Sequence, residues 1–202
     1  MNNELQGVGD NAELTIATNV VDKETLGVAG FYQVECRDAE GNLKWEESFP
    51  NLVNAGGKEL MLNTLLRTSG TYTTVGPFLG LISGSVATFA AADTQASHPG
   101  WTEFIAYTVS AVAVRGTAAF AVASSTGTTP SNVSSSVATP ISYLITGAGG
   151  TVGGCFLVSG TGAVNTQSNT GGVLYSAGNF AVAKAVTVGD TVSVTYTTTA
   201  TS

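Results

Sequence analysis

The only histidine of the chain, His98, stands in the stretch ASHPGWTEF (residues 96–104), with Ser97, Trp101 and Glu103 around it and Asp93 just upstream. Serine, histidine and aspartate are the residue types of a hydrolytic triad, in which the imidazole takes a proton from the attacking hydroxyl and a carboxylate orients the ring. The spacing argues against that use. Ser97 and His98 are adjacent, and adjacent side chains of extended chain point to opposite faces. No serine sits in a G-x-S-x-G elbow. Pro99-Gly100 predicts a turn that delivers Trp101 to the start of a strand, so His98 reads as a hydrogen-bonded loop histidine.

Other candidate chemistry is equally thin. Glu46 and Glu47 follow Lys44 in a strand-like run and read as a polar face. RDAEGN (37–42) has the front of a calcium loop but lacks the downstream bidentate glutamate, and suits a hairpin turn. The glycines of GAGGTVGG (147–154) and GTGAVN (160–165) lead into strands, where no helix N-terminus waits for a phosphate. GGK at 56–58 opens a helix, but Leu52 stands where a P-loop needs its first glycine. Cys36 and Cys155 have no metal spacing and no CxxC, and are expected as reduced, buried thiols. One histidine and two distant cysteines nearly exclude structural zinc. The sequence assigns no catalytic, cofactor-binding or metal-binding residue.

The elements that must carry these residues read mainly as strands. FYQVECRD (31–38) and LKWEESF (43–49) form a hairpin with Leu43, Trp45 and Phe49 on one face, and Gly41 and Asn42 supply its turn. NAGGKELMLNTLLRTSG (54–70) is the one helix: Leu62, Leu65 and Leu66 recur at helical spacing, Asn54 caps the start and Gly70 ends it. Short runs follow at 77–84, 103–109, 117–124, 140–146, 154–160 and 171–178. A closing pair spans 180–200, in which Val188, Val192, Val194 and Tyr196 alternate around the Gly189-Asp190 turn. Eight to ten short strands predict a mainly β fold, a β-sandwich or jelly roll with one short helix. Residues 1–28 read as an extended acidic arm, and residues 29–202 as the sandwich domain.

Charge is distributed unevenly over the 202 residues. The first fifty hold ten acidic and three basic residues, which accounts for the whole net charge of −7. Between Arg115 and Lys184 lie 68 residues without a formal charge. Such a stretch is either surface covered by other subunits or a neutral, hydroxyl-coated β surface. The acidic balance speaks against nucleic-acid binding. MNNELQGVGDNAEL has neither the basic nor the apolar region of a signal peptide, and no apolar run is long enough for a membrane span, so synthesis in a reducing cytoplasm is expected.

Several segments together resemble a known family. VECRDAEGNLKWEESFPNLVNAGGKELMLNTLL (34–66), FLGLISG (78–84), DTQASHPGWTEFIAY (93–107), VGGCFLVSG (152–160), GGVLYSAGNF (171–180) and VTVGDTVSVTYTTTA (186–200) follow the order of small structural proteins encoded by tailed bacteriophages. Residues 1–30 fall outside the resemblance, and the family's Arg-Pro pair appears here as Arg115-Gly116. It implies a non-enzymatic capsid decoration, or cement, protein without a cofactor: trimeric, bound outside the major capsid protein of a virion assembled in the host cytoplasm, with no nucleic-acid or membrane partner. The alternative is a tail or head-fibre component contacting host glycans through exposed Tyr and Asn. Trp101 then anchors ASHPGWTEF either in a core or in a subunit contact.

Overall fold

The computed structural model describes residues 27–66, 75–84, 87–125 and 133–201. The arm expected at 1–28 lies outside this range except for Gly27 and Val28, which open the first strand. Gly70, expected to end the helix, also lies outside it.

The chain forms β1 (Gly27–Arg37), β2 (Leu43–Pro50), β3 (Leu52–Val53), α1 (Ala55–Leu66), β4 (Phe78–Ser83), β5 (Thr102–Phe104) and β6 (Tyr107–Thr108). There follow β7 (Gly116–Thr117), β8 (Ser124–Ser125), β9 (Val133–Ser136), β10 (Ile141–Ile145), β11 (Gly150–Ser159), β12 (Val173–Val186) and β13 (Thr191–Thr201). One sheet, A, runs β2-β1-β13-β10-β6, with β9 also on β13 and β8 on β9; the other, B, runs β3-β12-β11-β4-β5, with β7 also on β4. All described pairings are antiparallel. Two packed sheets and one short helix make a β-sandwich.

The hairpin of β1 and β2 forms because Asp38 builds its turn. Its carboxylate accepts from the backbone N–H groups of Glu40 and Asn42 and from Asn42 Nδ2, and the Asn42 bonds hold the Asp38 carboxyl below the usual range. The acid that opens the calcium-like RDAEGN is thus spent on its own backbone. Trp45 and Phe49 turn inward as expected, but a bulge at Cys36/Arg37 leaves Leu43 outside.

Two runs expected as single strands are divided between the sheets. Within 103–109, β5 pairs with β4 in sheet B, while β6 pairs with β10 in sheet A. Within 117–124, Thr117 joins β4, Phe120 only bridges Val137, and Ser124 pairs in sheet A. The intervening backbone crosses the sandwich and leaves Val122 exposed. Conversely, the runs at 171–178 and 180–186 merge into β12, which keeps pairing with β11 through register shifts.

The main core lies between the sheets and is threaded with tyrosines, of which Tyr32, Tyr143 and Tyr196 place their hydroxyls on partners, as buried phenols prefer. Tyr32 bonds Ser176 at 3.0 Å, Tyr143 donates to the Leu79 carbonyl at 2.7 Å, and Asn51 donates to Tyr196 at 2.9 Å. Burial pushes the Tyr196 hydroxyl up to about 12. Cys36 and Cys155 are free and buried in this core, and burial raises the Cys36 thiol to about 11, so neither is an activated thiolate.

Candidate functional site

The segment from Ala87 to Trp101 crosses the outer face of sheet B and builds a second, smaller core there. Trp101, Ala87 and the partly buried Phe89 cover Ile82, Phe156, Val158, Leu174 and Ala177. The Trp101 ring lies 5.1 Å from that of Phe156 and meets Phe89 edge-on at 6.3 Å. Gly100 is required by proximity: a Cβ there would come within 2.1 Å of the Thr88 carbonyl. Of the two roles open to Trp101, the structure gives it the core one.

His98 stacks on Trp101 with ring centroids 3.8 Å apart, and its Nδ1 lies 3.0 Å from the Trp101 carbonyl. A carbonyl can only accept, so Nδ1 carries the proton and donates to it. Asp93 accepts from the Ala90 N–H, and exposed Ser97 closes a tight turn with Thr94. The three triad-type residues therefore each serve the local turn.

His98 and Trp101 instead converge with Gln95, Glu103, Arg115 and Asn169 on a cleft of about 170 Å³. At its base the side chain of Arg115 is fully buried and that of Glu103 is 6 % exposed. Their contact is bidentate: Nε to Oε1 at 3.0 Å and Nη2 to Oε2 at 2.8 Å. Arg115 also donates to the Asn169 and Val164 carbonyls, and its guanidinium carbon lies 5.2 Å from the Phe156 ring centroid. Glu103 accepts in turn from the Ser168 N–H at 2.7 Å. The carbonyls and the N–H supply what a desolvated pair needs beyond its own attraction. The pair fastens the 160s loop to β5 and closes one end of the second core.

Sequence reading missed this pair. The available signal was one acid and one base, twelve positions apart, each set in apolar chain just before the uncharged stretch.

The other concave feature lies along α1. Gly57 lets the helix rest directly on β12, since a Cβ there would meet the Tyr175 carbonyl at 2.5 Å. Tyr175 OH reaches Met61 Sδ at 3.2 Å. The glycines of GGK thus serve helix-on-strand contact. The Asn54 side chain ties the helix start to the 90s loop, donating to the Ala90 and Asp93 carbonyls. Leu62, Leu65 and Leu66, spaced as a core face would be, are instead 55 %, 83 % and 71 % exposed. Leu62 and Leu65 border an apolar groove of about 400 Å³ whose lining includes Leu60, Met61, Phe120, Leu157 and Tyr175.

Among the described residues no cluster of three or more His, Cys, Asp or Glu could hold a metal ion, and no helix is long and apolar enough to cross a membrane. No family of known proteins, no curated protein and no solved structure matches the chain.

Proposed function

We propose that this chain is a non-enzymatic structural protein of a bacteriophage virion, a decoration protein that binds the outside of the major capsid protein as a homo-oligomer, a trimer in the simplest case. The observation that carries the reading is how the chain uses its chemistry-bearing residues. His98, Asp93, Glu103 and Arg115 are spent on turns and on one internal ion pair, while the described part of the 68-residue uncharged stretch supplies β7 to β11 and most of β12. A protein built this way offers contact area rather than a reacting group, and general acid-base work needs a group within reach of a substrate proton. The resemblance of the 34–66 and 93–107 segments to phage structural proteins supplies the setting, the virion assembled in the host cytoplasm.

The test is a count of copies in purified particles of the virus that encodes the chain, by calibrated gel or mass spectrometry. Hundreds of copies per particle support the shell assignment. A few to a few dozen move the protein to the tail or a fibre, and its absence from particles overturns the reading.

A further inference from the structure

The segment that covers sheet B is fixed firmly at its ends and lightly between them. We propose that residues 88–101 form a lid that lifts off the outer face of sheet B while both sheets stay folded, uncovering Ile82, Phe156, Val158, Leu174 and Ala177. This goes beyond the virion reading and does not rest on it.

Three observations carry the proposal. First, stems and span are built differently. At one stem Asn179 holds Ala87 from both sides, its Oδ1 accepting from the Ala87 N–H and its Nδ2 donating to the Ala87 carbonyl. At the other, Thr102 pairs with Ser83 in the β4–β5 ladder. Between the stems no residue joins either sheet, and Thr94 and Ser97 bridge only each other. The two arms of the span lean together, the Thr88 N–H reaching the Gly100 carbonyl at 3.5 Å, so the span can move as one piece. Second, a seam already lies between lid and frame. The cleft beside Trp101 has Gln95 and His98 on its lid wall and Glu103, Arg115 and Asn169 on the other. The Arg115–Glu103 pair ties frame to frame, and the bond from Gln95 Nε2 to the Asn169 carbonyl at 3.1 Å spans the seam. Third, closing the lid strands polar atoms. Asn54 Oδ1, Gln95 Oε1 and Trp101 Nε1 are buried without a hydrogen-bond partner, in residues only 1 %, 2 % and 6 % exposed. Turning the amides over gives no relief. Asn54 Nδ2 donates to the Ala90 and Asp93 carbonyls and Gln95 Nε2 to that of Asn169, so a reversed amide would set oxygen against oxygen. Each stranded atom loses water when the lid closes and recovers it when the lid lifts. Burial of Trp101 and Phe89 favours the closed state and these atoms oppose it, which sets the lid to open locally, ahead of global unfolding.

The experiment is thiol labelling of the full-length protein with excess N-ethylmaleimide, in native buffer and in urea well below the unfolding midpoint, read by peptide mass spectrometry. Ala177→Cys places a thiol beneath the lid, at a position 1 % exposed. The native Cys155, in the main core, reports global unfolding in the same molecules. The introduced thiol should react about a hundredfold or more faster than Cys155. Its rate should be nearly flat in urea, because lifting a lid exposes little surface, while the Cys155 rate climbs steeply. A second readout needs no substitution: the Ala55 N–H, bonded to the Ala91 carbonyl of the lid, should exchange hydrogen with the same shallow urea dependence. Equal rates and equal urea slopes at the two thiols, or Ala55 exchange as slow and as urea-dependent as that of β13 amides, mean that the lid opens only with the whole fold and overturn the proposal. Reaction of the introduced thiol at the rate of a free thiol overturns it too, since the outer face of sheet B would then be open from the start.

Discussion

The two sheets of the sandwich treat their outer faces in opposite ways. Sheet A leaves its outer face to solvent: Gln33, Glu35, Glu46, Ser48, Ser142, Ser193 and Thr195 line a shallow polar depression there. Its strand β13 alternates buried and part-exposed residues from Thr191 to Tyr196. Sheet B is covered on both faces, by the main core inside and by Trp101 and its loop outside, and β11 is buried without alternation from Val152 to Val158. The difference shows what ASHPGWTEF does. It is the lid of a second hydrophobic layer, and its one histidine is a stacking partner of the tryptophan that seals it.

The largest test of this contrast acts on the pair that closes the lid. Arg115→Met should leave the Glu103 carboxylate buried beside apolar atoms, where breaking a buried pair costs about 3–5 kcal/mol. Urea unfolding followed by tryptophan fluorescence measures it. The double variant Glu103→Leu/Arg115→Met should lose less than Arg115→Met alone, because no orphaned charge remains. A single-variant loss below about 1 kcal/mol, the level of an exposed pair, would mean that sheet B's outer face is as open as sheet A's.

A smaller effect is expected where the two sheets are joined. The turn between β12 and β13 is held by Asp190, whose carboxylate accepts from Lys44 at 2.6 Å and from the Thr187 N–H at 2.8 Å. Burial opposes its ionisation, but the bonds from Lys44 and Thr187 outweigh burial and hold the carboxyl below its ordinary value. A lowered folded-state pKa gives stability that is present above the unfolded value, near 3.9, and is lost as pH falls through the folded value. Asp190→Asn should therefore cost about 1–3 kcal/mol at neutral pH. The gap from wild type should shrink as pH drops below about 4, measured by urea midpoints across a pH series. The same bond raises Lys44, so its share should persist below the unfolded lysine value and disappear as pH rises through the folded one.

The same contrast explains what could be read in the sequence. β13 was legible because one wet face writes alternation into VSVTYT, and the first hairpin because Gly41 and Asn42 sit between two alternating runs. The run at 154–160 was legible as a strand, but nothing in it named the loop that covers its outer side. EFIAYTV and TAAFAVAS were misread for another reason: a local run cannot show that its two halves pair in different sheets. The leucines of α1 gave the helix but not its exposure, since periodicity reports a face and not what meets it. Arg115 and Glu103 stayed hidden because their partnership is made by β5 and the 160s loop meeting in space.

The smallest effect should come from adding a charge to sheet A's outer face. In the β1–β13 register Ser193 stands directly opposite Glu35, and Glu35 in turn stands opposite Glu46 on β2. Like charges in facing positions oppose each other; Arg37, bonded to Glu35 at 3.1 Å, partly offsets this. Ser193→Lys would place a cation across from Glu35 on the solvent-facing side of sheet A, giving up only the Ser193–Ser142 hydroxyl contact at 3.3 Å. Cross-strand pairs of opposite charge contribute roughly 0.2–1 kcal/mol, so the variant should equal or slightly exceed the wild type at low salt. Because the pair is exposed, the gain should fade as salt shortens the screening length toward about 3 Å at 1 M. Urea midpoints at low and high salt suffice. A loss of more than about 2 kcal/mol, independent of salt, would mean that this face is packed in the folded protein, and the contrast between the two sheets would fail on the side where it predicts tolerance.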